Sequence, residues 1–313
     1  MNERYPEIRL YKLVEGERHL HIRESVGITF YMRNSHHEVA QAVEQALEVY
    51  RHAVGPQALQ WYVDDEGDWY ELDDKGWEFN RRKLLHRAGG RLWLRELPGA
   101  TTGHEFIYHG RQLNPALDAT APGAVCAVSF WFPTEYLEAR GPGQVKELAL
   151  ELARRLPFNS GHAGLALLFP EGALGTTRTL RDLFFRYPGL DIPGLASISQ
   201  SIGTRVRGAS WLTFLGRPLL GKLGGAAGLR ARLSSGITVQ ELDGERAIVA
   251  LGEWPEAGDV VEGRTLPAYE ELSRVLRPWL YEQPSPWSGF TKEDMRHWEQ
   301  RFLAQRQNPP TSS

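Results

Sequence analysis

The sequence predicts an α+β fold, a single domain in which mixed or antiparallel sheets pack against helices. Short apolar and β-branched runs recur along the chain, and segments with apolar residues at helical spacing separate them. Asp243-Gly244 lies between two such runs and favours a tight hairpin, because this pair tolerates positive φ. Strand–helix–strand order occurs in both halves, so we expect two similar lobes, at about residues 1–118 and 119–283. Residues 284–313 should form a linker, a terminal helix and a disordered tail.

Composition narrows the class of protein. The chain has 313 residues, 42% hydrophobic and 24% charged, which is typical of a globular domain with a substantial core. Its net charge of −3 argues against a nucleic-acid partner. The N-terminal segment MNERYPEIRLYK lacks the apolar core of a secretory signal, and the longest apolar run, Ala124–Pro133, is too short to span a bilayer. With Cys126 as the single cysteine, we expect a cytoplasmic protein with no membrane partner.

The first half predicts five strands and two helices. The strands are His19–Met32, with Gly27 as a bulge, Leu59–Val63, Trp69–Leu72, Arg91–Leu97 and His104–Tyr108. The segment Ser35–Glu38 is a capping box that satisfies free amides at the start of a helix. Apolar residues then follow helical spacing as far as Tyr50, and Gly55-Pro56 ends the helix. A second helix is predicted over Trp77–Ala88.

The second half predicts five more strands and five helices. The strands are Val125–Phe132, Gly164–Phe169, Ala209–Leu215, Ile237–Leu242 and Arg246–Leu251, the first buried on both faces because its apolar run is unbroken. The first helical segment starts at a Thr134 cap, is interrupted at Gly141-Pro142-Gly143 and ends at Pro157. The others are Leu180–Tyr187, Leu219–Leu233 loosened by glycines, Thr265–Tyr281 capped by Thr265, and Thr291–Gln305 capped by Thr291.

An acidic and aromatic segment is the candidate binding site. Residues 60–80, QWYVDDEGDWYELDDKGWEFN, contain eight acidic residues and one base, with five Trp and Tyr side chains among them. Aromatic side chains supply contact area, and carboxylates steer a basic partner. We expect Asp64, Asp65, Glu66, Asp68 and Trp69 to contribute to a protein-binding face. Two alternatives stay open: a solvated turn whose aromatics face the core, and an acidic calcium loop, although DDEGD lacks the ligand spacing of an EF-hand.

Two motifs with possible chemistry are incomplete. Gly216–Leu223, GRPLLGKL, matches the GxxxxGK of a phosphate-binding loop, but Leu223 replaces the magnesium-binding Ser or Thr and Pro218 removes an amide. The segment is better explained as a glycine-rich turn. Ser160-Gly161-His162 brings a hydroxyl near an imidazole without the GxSxG elbow, and neighbours in sequence rarely have triad geometry.

The histidines do not define a metal site. His19 and His21, His36 and His37, and His104 and His109 are spaced as pairs. A zinc site needs three or four converging ligands, and the sequence shows no HExxH and no second cysteine. We therefore predict no metal, no cofactor and no catalytic residue. No pair of carboxylates can be assigned to general acid–base catalysis.

Several longer stretches resemble a known bacterial family. They are SFWFPTEYLEARGPGQVKELALELARRLPFNSGHAGLAL, RVRGASWLTFLG, GLRARL and TVQELDGERAIVALGEWPEAGD, within Val125–Leu280. These stretches are similar to type VI secretion immunity proteins, a family long known as a domain of unknown function. The resemblance implies a protein that binds a cognate toxin and blocks it, and it brings no functional residues with it.

The resulting hypothesis is a non-enzymatic, cytoplasmic immunity protein whose partner is a cognate effector toxin. A hydrolase of unknown substrate and a structural component of a secretion-linked locus remain alternatives. A pocket with converging, pKa-shifted groups would favour the hydrolase. The sequence does not determine the oligomeric state.

Overall fold

The computed structural model describes residues 4–14, 16–99, 101–113, 123–170 and 177–303. The strands among them are β1 Arg9–Val14, β2 Glu17–Met32, β3 Trp61–Val63, β4 Trp69–Glu71, β5 Arg91–Arg95, β6 Glu105–His109, β7 Cys126–Pro133, β8 Ser160–Leu168, β9 Leu212–Leu215, β10 Thr238–Asp243 and β11 Arg246–Ala250. The helices are α1 His36–Val54, α2 Asp74–Leu85, α3 Thr134–Arg155, α4 Thr177–Arg186, α5 Leu195–Ile198, α6 Leu219–Lys222, α7 Gly225–Arg230, α8 Pro267–Leu276 and α9 Lys292–Glu299. The predicted α+β class is confirmed.

The strands form one sheet, in the order β10-β11-β9-β8-β2-β7-β6-β5-β3-β4. Strand β1 pairs with residues 17–23, the first part of β2. The neighbouring strands on this path pair antiparallel. Strand β2 lies between β7 and β8, two strands that follow it by about a hundred residues in the chain. The sheet is therefore continuous across the predicted lobe boundary near residue 118. The division into lobes and a separate C-terminal segment stays a prediction.

One face of the sheet packs against α1, α2 and α3. Ile28 and Phe30 of β2 and Phe130 of β7 are fully buried there against Val43 and Tyr50 of α1. Because side chains alternate along a strand, the same face receives Leu92 and Leu94 of β5, Phe106 of β6 and Phe214 of β9. Phe30, Phe158 and Phe214 contact one another in this core, with ring centroids 4.9–5.8 Å apart.

The opposite face is covered unevenly. At the β9–β11 end, a second core joins Leu215 and Val249 of the sheet to helices α6, α7 and α8. At the centre, Tyr31 and Ala127 pack against α5 and Tyr281. Helix α5 reaches as far as β6, where Ile107 packs against it. Beyond β6, the side chains of Trp93, Trp61 and Trp69 on this face are only half-buried.

Local predictions succeeded where neighbouring residues determine the structure. The Asp243-Gly244 hairpin joins β10 and β11, and the Glu38 carboxylate accepts the Ser35 N–H at 2.7 Å. Thr291 caps α9, where its hydroxyl accepts the Asp294 N–H at 3.0 Å. Helix α3 is kinked at Gly141, whose φ is 77°. Strand β1 and helix α5 were not predicted, and the predicted helix over 219–233 is two short helices separated by left-handed Gly224.

Two predicted caps are wrong, both beside proline. Pro133 occupies the N-cap position of α3, and the Thr134 hydroxyl donates instead to the buried Glu24 carboxylate at 2.8 Å. Helix α8 starts at Pro267 with Leu266, not Thr265, at the N-cap position, because proline fits the first helical turn and disfavours helix before it. Helix α8 stops at Leu276, two residues before Pro278, and continues only as a 3₁₀ turn.

The predicted bulge at Gly27 is also wrong. Gly27 pairs in regular register with Trp131 of β7 and Gly164 of β8. A Cβ at position 27 would lie 2.8 Å from the Trp131 ring. Glycine is needed here because the Trp131 indole lies across the backbone of β2.

No helix within the described ranges combines the length and the apolar composition that crossing a bilayer requires.

Gly27 and Gly164 provide a matched test of this packing. We expect Gly27→Ala to lower the free energy of unfolding by about 1–3 kcal/mol, because the Trp131 ring must move. Gly164→Ala should change it by less than about 1 kcal/mol, since a Cβ there approaches no atom closer than 3.6 Å. Urea unfolding of both variants measures the difference. Equal stabilities would show that the indole does not require glycine at position 27.

Candidate functional site

The acidic segment forms a hairpin at one edge of the sheet. Strands β3 and β4 pair through Trp61–Glu71, Tyr62–Tyr70 and Val63–Trp69. The Asp64 carboxylate accepts the amides of Glu66, Gly67 and Asp68 at 2.9–3.0 Å, which closes the turn. Aspartate suits this position because its short side chain can accept from the backbone just after it.

The turn is a concentrated source of negative charge. Asp65, Glu66 and Asp68 are exposed, and Asp65 pairs with Lys83 at 2.5 Å. Although desolvation acts to raise it, the pKa of Asp64 is lowered by the three amide donors. The pKa of the nearby Tyr70 hydroxyl is raised, chiefly by the negative charge of Asp64.

The carboxylates of Asp64, Glu66 and Asp68 each place an oxygen within 4.8 Å of the others. Among the described residues, this is the one group of three or more His, Cys, Asp or Glu side chains with such spacing. Asp64 already accepts three amides, and Glu66 and Asp68 are exposed. The absence of a metal site stays a prediction.

The aromatic residues of the hairpin divide between the two faces of the sheet. Tyr62 lies on the helix-covered face, where its ring is 5.4 Å from that of Phe79 in α2. Trp69 lies on the other face and meets Trp93 of β5 edge-on, with centroids 5.3 Å apart. The alternative in which all these aromatics face the core is therefore only half right.

The uncovered face carries a connected set of aromatic and charged side chains. The Trp93 indole N–H donates to the buried Glu105 carboxylate, and the Arg95 guanidinium lies 3.4 Å from the same carboxylate. The Arg95 guanidinium also lies 5.3 Å from the ring centroids of Trp69 and Trp93. We call this surface the tryptophan face and define it by six residues: Trp61, Val63, Trp69, Trp93, Arg95 and Ile107.

Sequence reasoning found Trp69 but missed Trp93, Arg95 and Glu105. A signal was present in β5, RLWLR, whose alternation separates Leu92 and Leu94 from Trp93 and Arg95. The cross-strand pairs Glu105–Arg95 and Arg95–Trp61 bring these residues together, and only strand order establishes those pairs.

A second polar cluster lies buried near the centre of the same face. His162 Nε2 donates to the Asp191 carboxylate at 3.1 Å, and the Arg207 guanidinium is 3.6 Å from the same group. Trp298 lies between two guanidinium groups, 3.6 Å from Arg301 and 4.6 Å from Arg207. These contacts hold α9 against the body of the sheet.

Two groups in this cluster have shifted pKa values. Burial opposes the charged form of Asp191, but Arg207 and His162 outweigh it and lower its pKa to about 2. Burial lowers the pKa of Arg301 to about 9, and nearby Arg207 acts in the same direction. Perturbed groups of this kind occur both in active sites and in structural ion pairs.

The cluster resembles a catalytic site in composition but not in accessibility. The cavity beside His162 and Asp191 has a volume of about 30 Å³, with room for about two water molecules. The Ser160 hydroxyl donates to the Arg205 carbonyl at 2.9 Å, so its proton is not directed at His162. These contacts favour a structural role for the cluster.

The phosphate-loop motif and His36 also have structural roles. Leu219, Leu220 and Leu223 are buried in the second core, while Lys222 is exposed. The His36 Nε2–H donates to the His86 carbonyl at 2.9 Å, and the Tyr108 hydroxyl donates to Nδ1 at 2.8 Å.

The fold is that of a known type VI secretion system protein. It is similar to Pseudomonas aeruginosa T6SS protein PA0821, with a TM-score of 0.78 at 20% sequence identity, over 94% of this chain and 87% of that chain. No curated protein matches the sequence.

A family model identifies the class more closely. The model of the TsiV family, described as type VI immunity for VRR-NUC, matches residues 42–302. The chain therefore belongs to this family of type VI immunity proteins, and the resemblance drawn from the sequence is confirmed.

The Asp191 ion pairs make stability depend on pH. The pKa of Asp191 is about 2 in the folded protein against an ordinary value of 3.8. A carboxyl group with a lowered folded pKa adds stability above pH 4, and this contribution is lost as the pH falls towards 2. We expect the stability difference between wild type and Asp191→Asn to shrink by about 2 kcal/mol between pH 6 and pH 2.

Urea unfolding at pH 6, 4 and 2 measures this difference. Asp182→Asn is the matched control, because Asp182 is an exposed aspartate on α4. Its difference from wild type should stay small at each pH. A constant difference for Asp191→Asn would contradict the assignment of the lowered pKa.

Proposed function

We propose that this immunity protein binds a VRR-NUC toxin and neutralises it by protein–protein contact, with no catalytic step of its own. The match of the TsiV family model to residues 42–302 carries this proposal, because the family is described as immunity for VRR-NUC. The resemblance to immunity proteins over 125–280 supports a cognate toxin as the partner, without naming the activity of that toxin.

The buried polar cluster supports action without catalysis. Its pKa-shifted residues, Asp191 and Arg301, line a cavity of about 30 Å³. Sites for small molecules commonly measure about 300–1,000 Å³. A substrate of ordinary size has no room beside these groups.

The acidic hairpin supports contact with a basic partner. We take NUC to denote a nuclease, whose surface must carry positive charge to hold phosphates. Clustered carboxylates repel one another in the free protein, and a basic partner relieves that repulsion. We propose that Asp64, Asp65, Glu66, Asp68 and Trp69 belong to the toxin-binding face.

We also propose that neutralisation takes place in the cytoplasm, where a nuclease meets nucleic acid. Fractionation of cells that produce the tagged chain tests it, and recovery mainly in the periplasmic fraction would contradict it.

Toxicity rescue followed by affinity capture tests the proposed function. The toxin encoded by the adjacent reading frame is expressed in a host with and without this chain. We expect rescue together with a stoichiometric complex. Rescue without a complex would indicate an enzyme that reverses the damage. If the toxin is active but this chain neither rescues the host nor binds the toxin, the proposed pairing is wrong.

Charge reversal tests the hairpin acids. Asp65, Glu66 and Asp68 are changed together to Lys, while Asp64 is kept because its carboxylate holds the turn. We expect association with the toxin to slow about tenfold at low ionic strength, because long-range attraction steers encounter. The effect should diminish as added salt screens the charges.

Stopped-flow or surface-based kinetics at two salt concentrations measures both expectations. The control changes three exposed acids elsewhere, Glu147, Glu253 and Glu262, to Lys, with the same total change in charge. Equal association rates for the two triple variants would show that the hairpin is not the steering surface.

A further inference from the structure

The tryptophan face is the least covered part of the sheet, and α5 reaches only its edge, at Ile107. On strands β5 and β6, Leu92, Leu94 and Phe106 are at most 1% exposed beneath the helices. Trp93 and Ile107, which alternate with them, are only half-buried on the other face. Elsewhere the same face is covered by α5 to α8.

The side chains on this face are held in place before any partner arrives. Trp93 donates to Glu105, meets Trp69 edge-on, and lies beside the Arg95 guanidinium. A rigid anchor loses little side-chain entropy on binding. Trp and Arg are also the residue types that most often dominate binding energy at protein interfaces.

A groove beside Trp93 can take one side chain of a partner. It lies between the sheet and the start of α5, and its apolar walls include Trp93, Ile107, Trp131, Leu195 and Ala196. Its volume is about 90 Å³. This is well below the roughly 300–1,000 Å³ of a small-molecule site, so the groove suits an inserted side chain.

Charge around the face selects the kind of partner. The hairpin turn and the open face carry six carboxylates and three cations, which gives a formal charge of −3. The carboxylates are Asp64, Asp65, Glu66, Asp68, Glu71 and Glu105, and the cations are Lys83, Arg91 and Arg95. The whole chain also has a net charge of −3, so the remaining residues are neutral on balance.

We propose that the tryptophan face is the centre of the toxin-binding interface, with the hairpin acids as its charged rim. The occupant is the cognate toxin, which presents a basic surface and inserts one large side chain beside Trp93. A second copy of this chain fits poorly, because a two-fold interface pairs the same surface with itself, and two surfaces of net negative charge would then face each other. This inference rests on the proposed function and adds the location of the interface.

Binding kinetics of two variants test the inference. Trp93→Ala removes the anchor, and Ala196→Arg fills the groove from its α5 wall without removing a packed side chain. The probe is the purified toxin encoded by the adjacent reading frame. We expect Kd to rise about 30-fold or more for Trp93→Ala, mainly through faster dissociation, and about tenfold or more for Ala196→Arg.

Tyr70→Ala is the matched control. Tyr70 is next to Trp69 in β4, is 47% exposed, and points to the other face of the sheet. Its replacement should change Kd by less than about threefold, since it lies outside the interface. Thermal unfolding establishes that each variant is folded, and if Trp93→Ala is not, Ala196→Arg decides the outcome.

The outcomes separate this inference from the proposed function. If the wild-type chain binds the toxin and the folded variants have the same Kd, the tryptophan face is not the interface, and the proposed immunity function stands. If the wild-type chain does not bind the toxin, both the proposed function and the proposed interface are wrong. A greater effect of Tyr70→Ala than of Trp93→Ala would move the interface to the other side of the hairpin.

Discussion

Strand β2 is hydrogen-bonded along both edges and buried on both faces, and the rest of the sheet extends outward from it. It pairs with β7 over 25–32 and with β8 over 23–31. Ile28 and Phe30 point to the core beneath α1 and α3, and Thr29 and Tyr31 to the opposite side. Because backbone groups so deeply buried must be paired, loss of either neighbour would leave amides and carbonyls unsatisfied. The position of every other strand follows from this pairing.

The helices cover the two faces of the sheet unequally, and the proposed toxin-binding surface lies on the less covered face. Helices α1 to α3 pack on one face, whereas α5 to α8 cover the opposite face only as far as β6 and leave Trp93, Trp61 and Trp69 half-buried beyond it. Half-buried tryptophans on an open face expose apolar surface to water, which a partner can cover. The acidic turn at the sheet edge adds long-range attraction, so one surface combines anchor area with steering charge.

Part of the proposed binding surface could be predicted from the sequence. The acids of the β3–β4 turn were predicted at an exposed hairpin because Gly67 and the acidic run favour a turn, and Trp69 was predicted beside them. The partner of Trp69 could not be predicted, since Trp93 belongs to β5 and the two strands are joined only through β3. The buried cluster was equally hidden, because His162 and Asp191 are far apart in the chain and Arg301 comes from the turn that follows the last helix.

By itself the sequence determined the local structure: the Asp243-Gly244 hairpin, the capped starts of α1 and α9, and the buried strand β7. These depend on hydrogen bonds and side-chain alternation within a few residues, which a sequence pattern records directly. The tertiary structure alone decided strand order, the need for glycine at position 27, and which tryptophans share an open face. Those features depend on contacts between residues far apart in the chain, where the position of each is set by the packing of the whole sheet.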